Sequence, residues 1–91
     1  MFYKSDKDQM MCFGLKPAGK AQKVHLAGDF TGWKPVAMAR KRDGSYAVEI
    51  PLSKGSHQYK FVVDGQWLHD GDHKDWVANQ YGTLNSLAVV R

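Results

Sequence analysis

The stretch Ser56-His57-Gln58-Tyr59-Lys60-Phe61-Val62-Val63-Asp64-Gly65-Gln66-Trp67 decides the fold class of this chain. On the two-residue repeat of a strand, His57, Tyr59, Phe61 and Val63 share one face, and Gln58, Lys60 and Val62 share the other. Asp64-Gly65 then supplies a hairpin turn, because glycine accepts the positive φ that such turns require. A strand and the start of its return are both written in this one segment.

The same period recurs on either side of it, in Met11, Phe13 and Leu15, in Val24 and Leu26, in Val36 and Met38, in Tyr46, Val48 and Ile50, and in Leu87 and Val89. Turn-forming residues separate these runs: Pro17-Ala18-Gly19, Thr31-Gly32, Asp43-Gly44, Lys54-Gly55 and Gly71. No segment has a sustained helical period with caps. The expected class is therefore all-β, an antiparallel β-sandwich of about six to eight strands, with a closed barrel as the alternative that strand spacing leaves open. Residues 1–9 are polar and unpatterned and are expected to be a loose leader to a module over residues 10–91.

Ninety-one residues suit a single domain with a modest core, and 43% hydrophobic with 24% charged residues is ordinary for a globular chain. No apolar run approaches the roughly 20 residues that span a bilayer. The start, MFYKSDKDQM, is charged where a signal peptide would be apolar, so a cytoplasmic location is expected. The single cysteine, Cys12, lies in the apolar run MMCFGL and reads as a small buried side chain. The net charge of +4 is interleaved with acidic residues, and its one dense cluster, Arg40-Lys41-Arg42, precedes Asp43-Gly44 as a solvated turn would. No recognisable nucleic-acid motif accompanies it.

Catalysis finds little to work with. The only glutamate, Glu49, falls opposite the Tyr46, Val48, Ile50 face, and the aspartates of Asp43-Gly44 and Asp64-Gly65 are committed to turns. A cleft flanked by two carboxylates is not expected, so the chain reads as non-enzymatic. The segment His69-Asp70-Gly71-Asp72-His73-Lys74-Asp75 has metal-binding residue types, but not the spacing or closing glutamate of a calcium loop, nor the cysteines of a structural zinc site. It reads as a polar surface loop, and no metal or cofactor is called for.

Trp33, Trp67 and Trp76 all fall at turns or strand ends, outside the alternating core pattern. An exposed indole offers a broad apolar face to the C–H side of a pyranose ring; the alternative is that these rings cover the ends of the sandwich. Lys60 points away from the core on the strand that leads to Trp67. Its ammonium can donate to the hydroxyls of a stacked sugar or can simply be solvated.

The motifs Gly28-Asp29-Phe30-Thr31-Gly32-Trp33, Tyr59-Lys60-Phe61-Val62-Val63-Asp64-Gly65-Gln66-Trp67 and Gly82-Thr83-Leu84-Asn85, in that order, resemble carbohydrate-binding module family 48. That family includes the glycogen-binding domain of AMP-activated protein kinase β subunits and the N-terminal modules of branching and debranching enzymes. The resemblance covers roughly residues 10–91 and implies an immunoglobulin-like, early-set sandwich that holds α-1,4-linked glucose. It places the stacking tryptophans at Trp33 and Trp67, and the hydrogen-bonding residues at Lys60, Thr83 and Asn85. Tyr81 occupies the position where kinase-type members have a protruding leucine.

The implied partner is an α-glucan such as glycogen, starch or a malto-oligosaccharide, with a glycogen- or starch-metabolising enzyme or kinase as a protein partner. The competing reading keeps the fold but makes the module a protein-interaction domain, with Trp76 as its contact.

Overall fold

Alternation in the sequence becomes strand pairing in the computed structural model, which describes residues 2–4, 10–17, 21–70, 75–79 and 82–90. Among these residues there are ten strands: β1 (Phe2–Lys4), β2 (Met10–Leu15), β3 (Val24–Gly28), β4 (Val36–Ala37), β5 (Ala39–Arg40), β6 (Tyr46–Pro51), β7 (Gly55–Val63), β8 (Gln66–Leu68), β9 (Trp76–Ala78) and β10 (Leu84–Val90). A single 3-10 turn, Asp29–Thr31, follows β3. The strands form two antiparallel sheets, one in the order β1-β2-β6-β5 and the other β4-β3-β7-β10-β9, with β8 also paired to β7. The architecture is thus a sandwich and not a closed barrel. The strands beyond the expected six to eight are two- or three-residue pieces, too short to display an alternation.

β7 is the axis of the larger sheet. β3 pairs along Tyr59–Val63 on one side, while on the other β10 pairs with Gly55–Tyr59 and β8 with Phe61–Val63. The segment from Val36 to Arg40 crosses between the sheets: β4 pairs with β3, β5 pairs with β6, and buried Met38 sits between them, its N–H donating to the Val24 carbonyl at 3.0 Å.

Most residues read as inward-facing are so, but in β10 the faces are reversed: Ser86, Ala88 and Val90 turn to the core in place of Leu87 and Val89, because Ser86 is drawn in to accept from the Asp70 backbone N–H. Phe13, Leu26, Tyr59 and Phe61 are fully buried. The Phe13 ring meets Tyr59 edge-on at 4.8 Å and stacks on Phe30 at 5.4 Å. Deleting such a ring costs about 3–5 kcal/mol, so this aromatic cluster is the main tie between the sheets. Cys12 is buried, as expected.

Part of the segment expected to be a loose leader is instead a strand. Phe2–Lys4 pair with Met11–Phe13, and the Phe2 ring lies 5.1 Å from Phe13 and 6.3 Å from Tyr59. One aromatic side chain on the core is enough to hold a run too short for periodicity to reveal.

Both Asp-Gly turns form hairpins. In Asp64-Gly65 both residues have positive φ, 48° and 87°, and Gly44 has φ 88°. Each aspartate also works through its carboxylate. That of Asp64 accepts from the backbone N–H of Lys23 at 2.8 Å and of Gln22 at 3.1 Å. That of Asp43 accepts from the Ser45 hydroxyl and backbone N–H, and these bonds hold its carboxyl below the ordinary aspartate value.

Asp70, expected in a surface loop, is almost wholly buried. The reason is Tyr59: a phenol at the centre of the core needs an acceptor, and its hydroxyl donates to Asp70 Oδ2 at 2.8 Å. Ser86 Oγ in turn accepts from the Asp70 backbone N–H. Burial first, and then the charge of Asp70, push the Tyr59 phenol above its ordinary range. Residues 71–74 of the same loop lie outside the described residues. Among the described residues no helix is long and apolar enough to cross a membrane.

Candidate functional site

The outer face of the larger sheet carries an open groove of about 730 Å³. It is lined by Trp33, Gln58, Lys60, Trp67, Ala78, Asn79, Thr83 and Asn85. Five of the six residues that the sequence nominated for sugar contact are therefore in one place. The sixth, Tyr81, lies outside the described residues.

Trp33 is presented by the turn that follows β3. Thr31 Oγ1 accepts from the Gly28 N–H at 3.1 Å and donates to the Gly28 carbonyl at 2.9 Å, closing the turn on itself. Gly32 and Trp33 then both adopt left-handed backbone, φ 64° and 62°, and the Trp33 N–H returns to the Gly28 carbonyl at 2.8 Å. Positive φ is costly for a bulky residue and marks a position held for a purpose. The whole turn is pinned to β7 because Asp29 Oδ2 accepts from the Gln58 backbone N–H at 2.9 Å. A Cβ on Gly28 would lie 2.5 Å from the Phe30 ring and 2.7 Å from the Gln58 carbonyl, so only glycine fits this close approach.

Trp67 arrives by the Asp64-Gly65 hairpin. Its pairing with Val62 puts the indole on the same face as Lys60 and Gln58. Trp33 and Trp67 are 36% and 46% exposed, so each ring rests on the protein and keeps surface for a ligand. Trp76, 51% exposed, is absent from the groove; its ring meets His69 edge-on at 6.1 Å.

Lys60 does point away from the core, yet it is only 8% exposed, contrary to a solvated lysine. Its outer-face position is flanked by Ala27 across the β3 pairing, and its Nζ donates to Thr83 Oγ1 at 2.8 Å. No carboxylate pairs with it among the described residues. A buried cation held only by a neutral hydroxyl is costly and marks a functional position.

Three groove residues, Gln58, Ala78 and Asn79, were not nominated from the sequence. Asn79 closes the β9–β10 turn: its backbone N–H donates to the Thr83 carbonyl at 2.9 Å, and its Oδ1 accepts from the Thr83 N–H at 3.1 Å. Its Nδ2 donates to Thr83 Oγ1 at 2.7 Å and to Asn85 Oδ1 at 3.0 Å. Asn85 Nδ2 donates to Gln58 Oε1 at 2.9 Å. Gln58 was visible as the residue two before Lys60 on the same face. Asn79 was visible as a turn-forming asparagine three residues before Gly82.

The lining thus combines two part-exposed indoles with a connected floor of amides, a hydroxyl and an ammonium. Such a surface stacks flat rings and hydrogen-bonds their substituents. It offers neither a carboxylate pair nor a nucleophile with a base among its described residues, and among those residues no three histidine, cysteine, aspartate or glutamate side chains gather to hold a metal.

The family model described as the glycogen recognition site of AMP-activated protein kinase matches residues 13–91. The chain belongs to this family. The chain is 38% identical over 73 residues to 5'-AMP-activated protein kinase subunit beta-1 of Homo sapiens, covering 80% of this chain and 26% of that protein. Against subunit beta-2 of Mus musculus the identity is 37% over 70 residues, covering 77% and 26%. Against subunit beta-1 of Sus scrofa it is 38% over 73 residues, covering 80% and 58%. The chain therefore spans only part of the kinase subunits it matches. The resemblance read from its motifs is confirmed, and the family favours sugar recognition over the protein-interaction alternative.

Proposed function

We propose that the groove binds α-1,4-linked glucan without acting on it chemically. In this reading Trp33 and Trp67 stack on successive glucose rings, Lys60, Thr83 and Asn85 bond their hydroxyls, and Tyr81 contributes a further ring contact. One observation carries the proposal: residues far apart in sequence, two of them half-exposed tryptophans and one a buried lysine with no carboxylate partner among the described residues, line the same groove.

Ring stacking of this kind contributes about 1–3 kcal/mol per ring, by analogy with base stacking on aromatics. Two stacks with a few hydrogen bonds place the dissociation constant in the range of about micromolar to millimolar. A module of that strength suits the recruitment of a kinase or another glycogen-metabolising enzyme to a polysaccharide, where many equivalent sites sit side by side. No cofactor is required, and the setting proposed is the cytoplasm.

Affinity electrophoresis through gels with and without glycogen tests the proposal. The wild-type chain should be retarded and Trp67→Ala should not, with both folded by circular dichroism. Equal mobility of the wild type in the two gels refutes glucan binding.

A further inference from the structure

We infer that the polar floor of the groove is polarised in one direction and presents mainly hydrogen-bond donors, two of them from Gln58, so that the ligand is read through its oxygens as acceptors. This rests on the glucan reading of the groove and specifies how that glucan is recognised.

The direction is fixed by groups that can only donate. The Thr83 backbone N–H donates to Asn79 Oδ1, which identifies the oxygen end of that amide. The other end, Nδ2, must then be the donor to both Thr83 Oγ1 and Asn85 Oδ1, and these two bonds use both of its hydrogens. Asn85 Oδ1 being an acceptor, Asn85 Nδ2 is the donor to Gln58 Oε1. Gln58 Nε2 is left with both hydrogens and no partner among the described residues.

The second anchor is Lys60, whose ammonium also has no choice but to donate to Thr83 Oγ1. That hydroxyl has then accepted twice, from Lys60 and from Asn79, which fills its two lone pairs and leaves its hydrogen to be given away. What remains for a ligand is two ammonium hydrogens, the Thr83 hydroxyl hydrogen, one N–H of Asn85 and the two of Gln58. Against these stand three side-chain amide oxygens, Asn79 Oδ1, Asn85 Oδ1 and Gln58 Oε1, each of which already accepts a bond within the floor. No carboxylate is present among the described lining residues.

Such a floor suits the oxygens of a sugar: its hydroxyls accept from the protein while their own hydrogens turn to water, and its ring and glycosidic oxygens, which carry no hydrogen, can only accept. Within it Gln58 has two separable functions: Oε1 orients Asn85, and Nε2 faces the ligand.

Calorimetric titration of maltoheptaose at pH 7 into wild type, Gln58→Glu and Gln58→Met separates these functions. The glutamate keeps an oxygen for Asn85 but has no donor; the methionine has neither. Both variants should bind roughly three- to tenfold more weakly, the range of one neutral hydrogen bond. Gln58→Glu should also melt with the wild type. Binding by Gln58→Glu as tight as wild type or tighter, whether or not Gln58→Met is weakened, would overturn the donor assignment. A wild type that binds no glucan would overturn the glucan reading and this inference with it, whereas a wild type that binds while Gln58→Glu matches it overturns the inference alone.

Discussion

Replacing Lys60 by methionine should raise no difficulty for the fold and a large one for the ligand. The side chain is only 8% exposed, and its one hydrogen bond among the described residues is to Thr83 Oγ1. Methionine has similar length, and Ala27 and Val62 offer it apolar neighbours on the outer face. Thr83 Oγ1 keeps the bond from Asn79 at 2.7 Å, so no polar atom is orphaned. Removing a buried charge without a counter-charge is often neutral or stabilising, so the melting temperature should not fall by more than about 4–8 °C, the equivalent of 1 kcal/mol in a domain of this size. Binding loses a donor that carries charge, about 1.5–3 kcal/mol, which is roughly a 10- to 150-fold weaker association. Thermal melts and calorimetric titration of maltoheptaose on one preparation read both quantities. Unchanged affinity refutes the functional role of Lys60. A collapse of the melting temperature with unchanged affinity in the remaining folded protein would make it a structural residue.

Further outcomes are expected elsewhere in the molecule. Gly28→Ala forces a methyl group against the Phe30 ring and the Gln58 carbonyl, and overpacking of this kind costs about 1–3 kcal/mol. It should also weaken glucan binding, since the Trp33 N–H is held by the Gly28 carbonyl; an unchanged melt would show that the turn yields freely. Stability should fall as pH rises beyond about 10, because the unfolded Tyr59 phenol ionises there while the folded one, its ionisation opposed by burial and by Asp70, keeps its proton. Denaturant titrations between pH 8 and 11 measure this, with a limiting slope of about 1.4 kcal/mol per pH unit from that group, and a flat profile contradicts it. Trp76→Ala should leave glycogen retardation as in the wild type, because Trp76 is not among the residues that line the groove; loss of retardation would extend the site along β9 from Ala78 to Trp76.

The parts of this molecule that were legible in advance are those governed by period and turn chemistry. Alternation along His57–Val63 gave β7 its two faces, and Asp43-Gly44 and Asp64-Gly65 marked the hairpins because few other residues tolerate their backbone. Trp33, Lys60, Trp67, Thr83 and Asn85 came from motifs and meet in one groove. The residues that escaped notice act through partners distant in the chain. Asp70 looks like any loop aspartate until the Tyr59 phenol is seen beside it, and Phe2 sits in a strand too short to show a pattern. Asn79 and Gln58 take their importance from hydrogen bonds across β9, β10 and β7, a relation that no local spacing encodes. Burial of Lys60 was hidden for the same reason: alternation assigns a face to a side chain but not what is folded over that face.

The two faces of β7 answer to separate demands. Tyr59 and Phe61 are committed to cohesion between the sheets, whereas Gln58 and Lys60, one residue along the backbone from them, are committed to recognition. Changes at the second pair can therefore retune what is recognised, by chain length, branching or substituent, without reopening the question of whether the chain folds. A recognition surface laid out in this way is free to drift among related polysaccharides over time, or to be redesigned at the bench, on an unchanged scaffold.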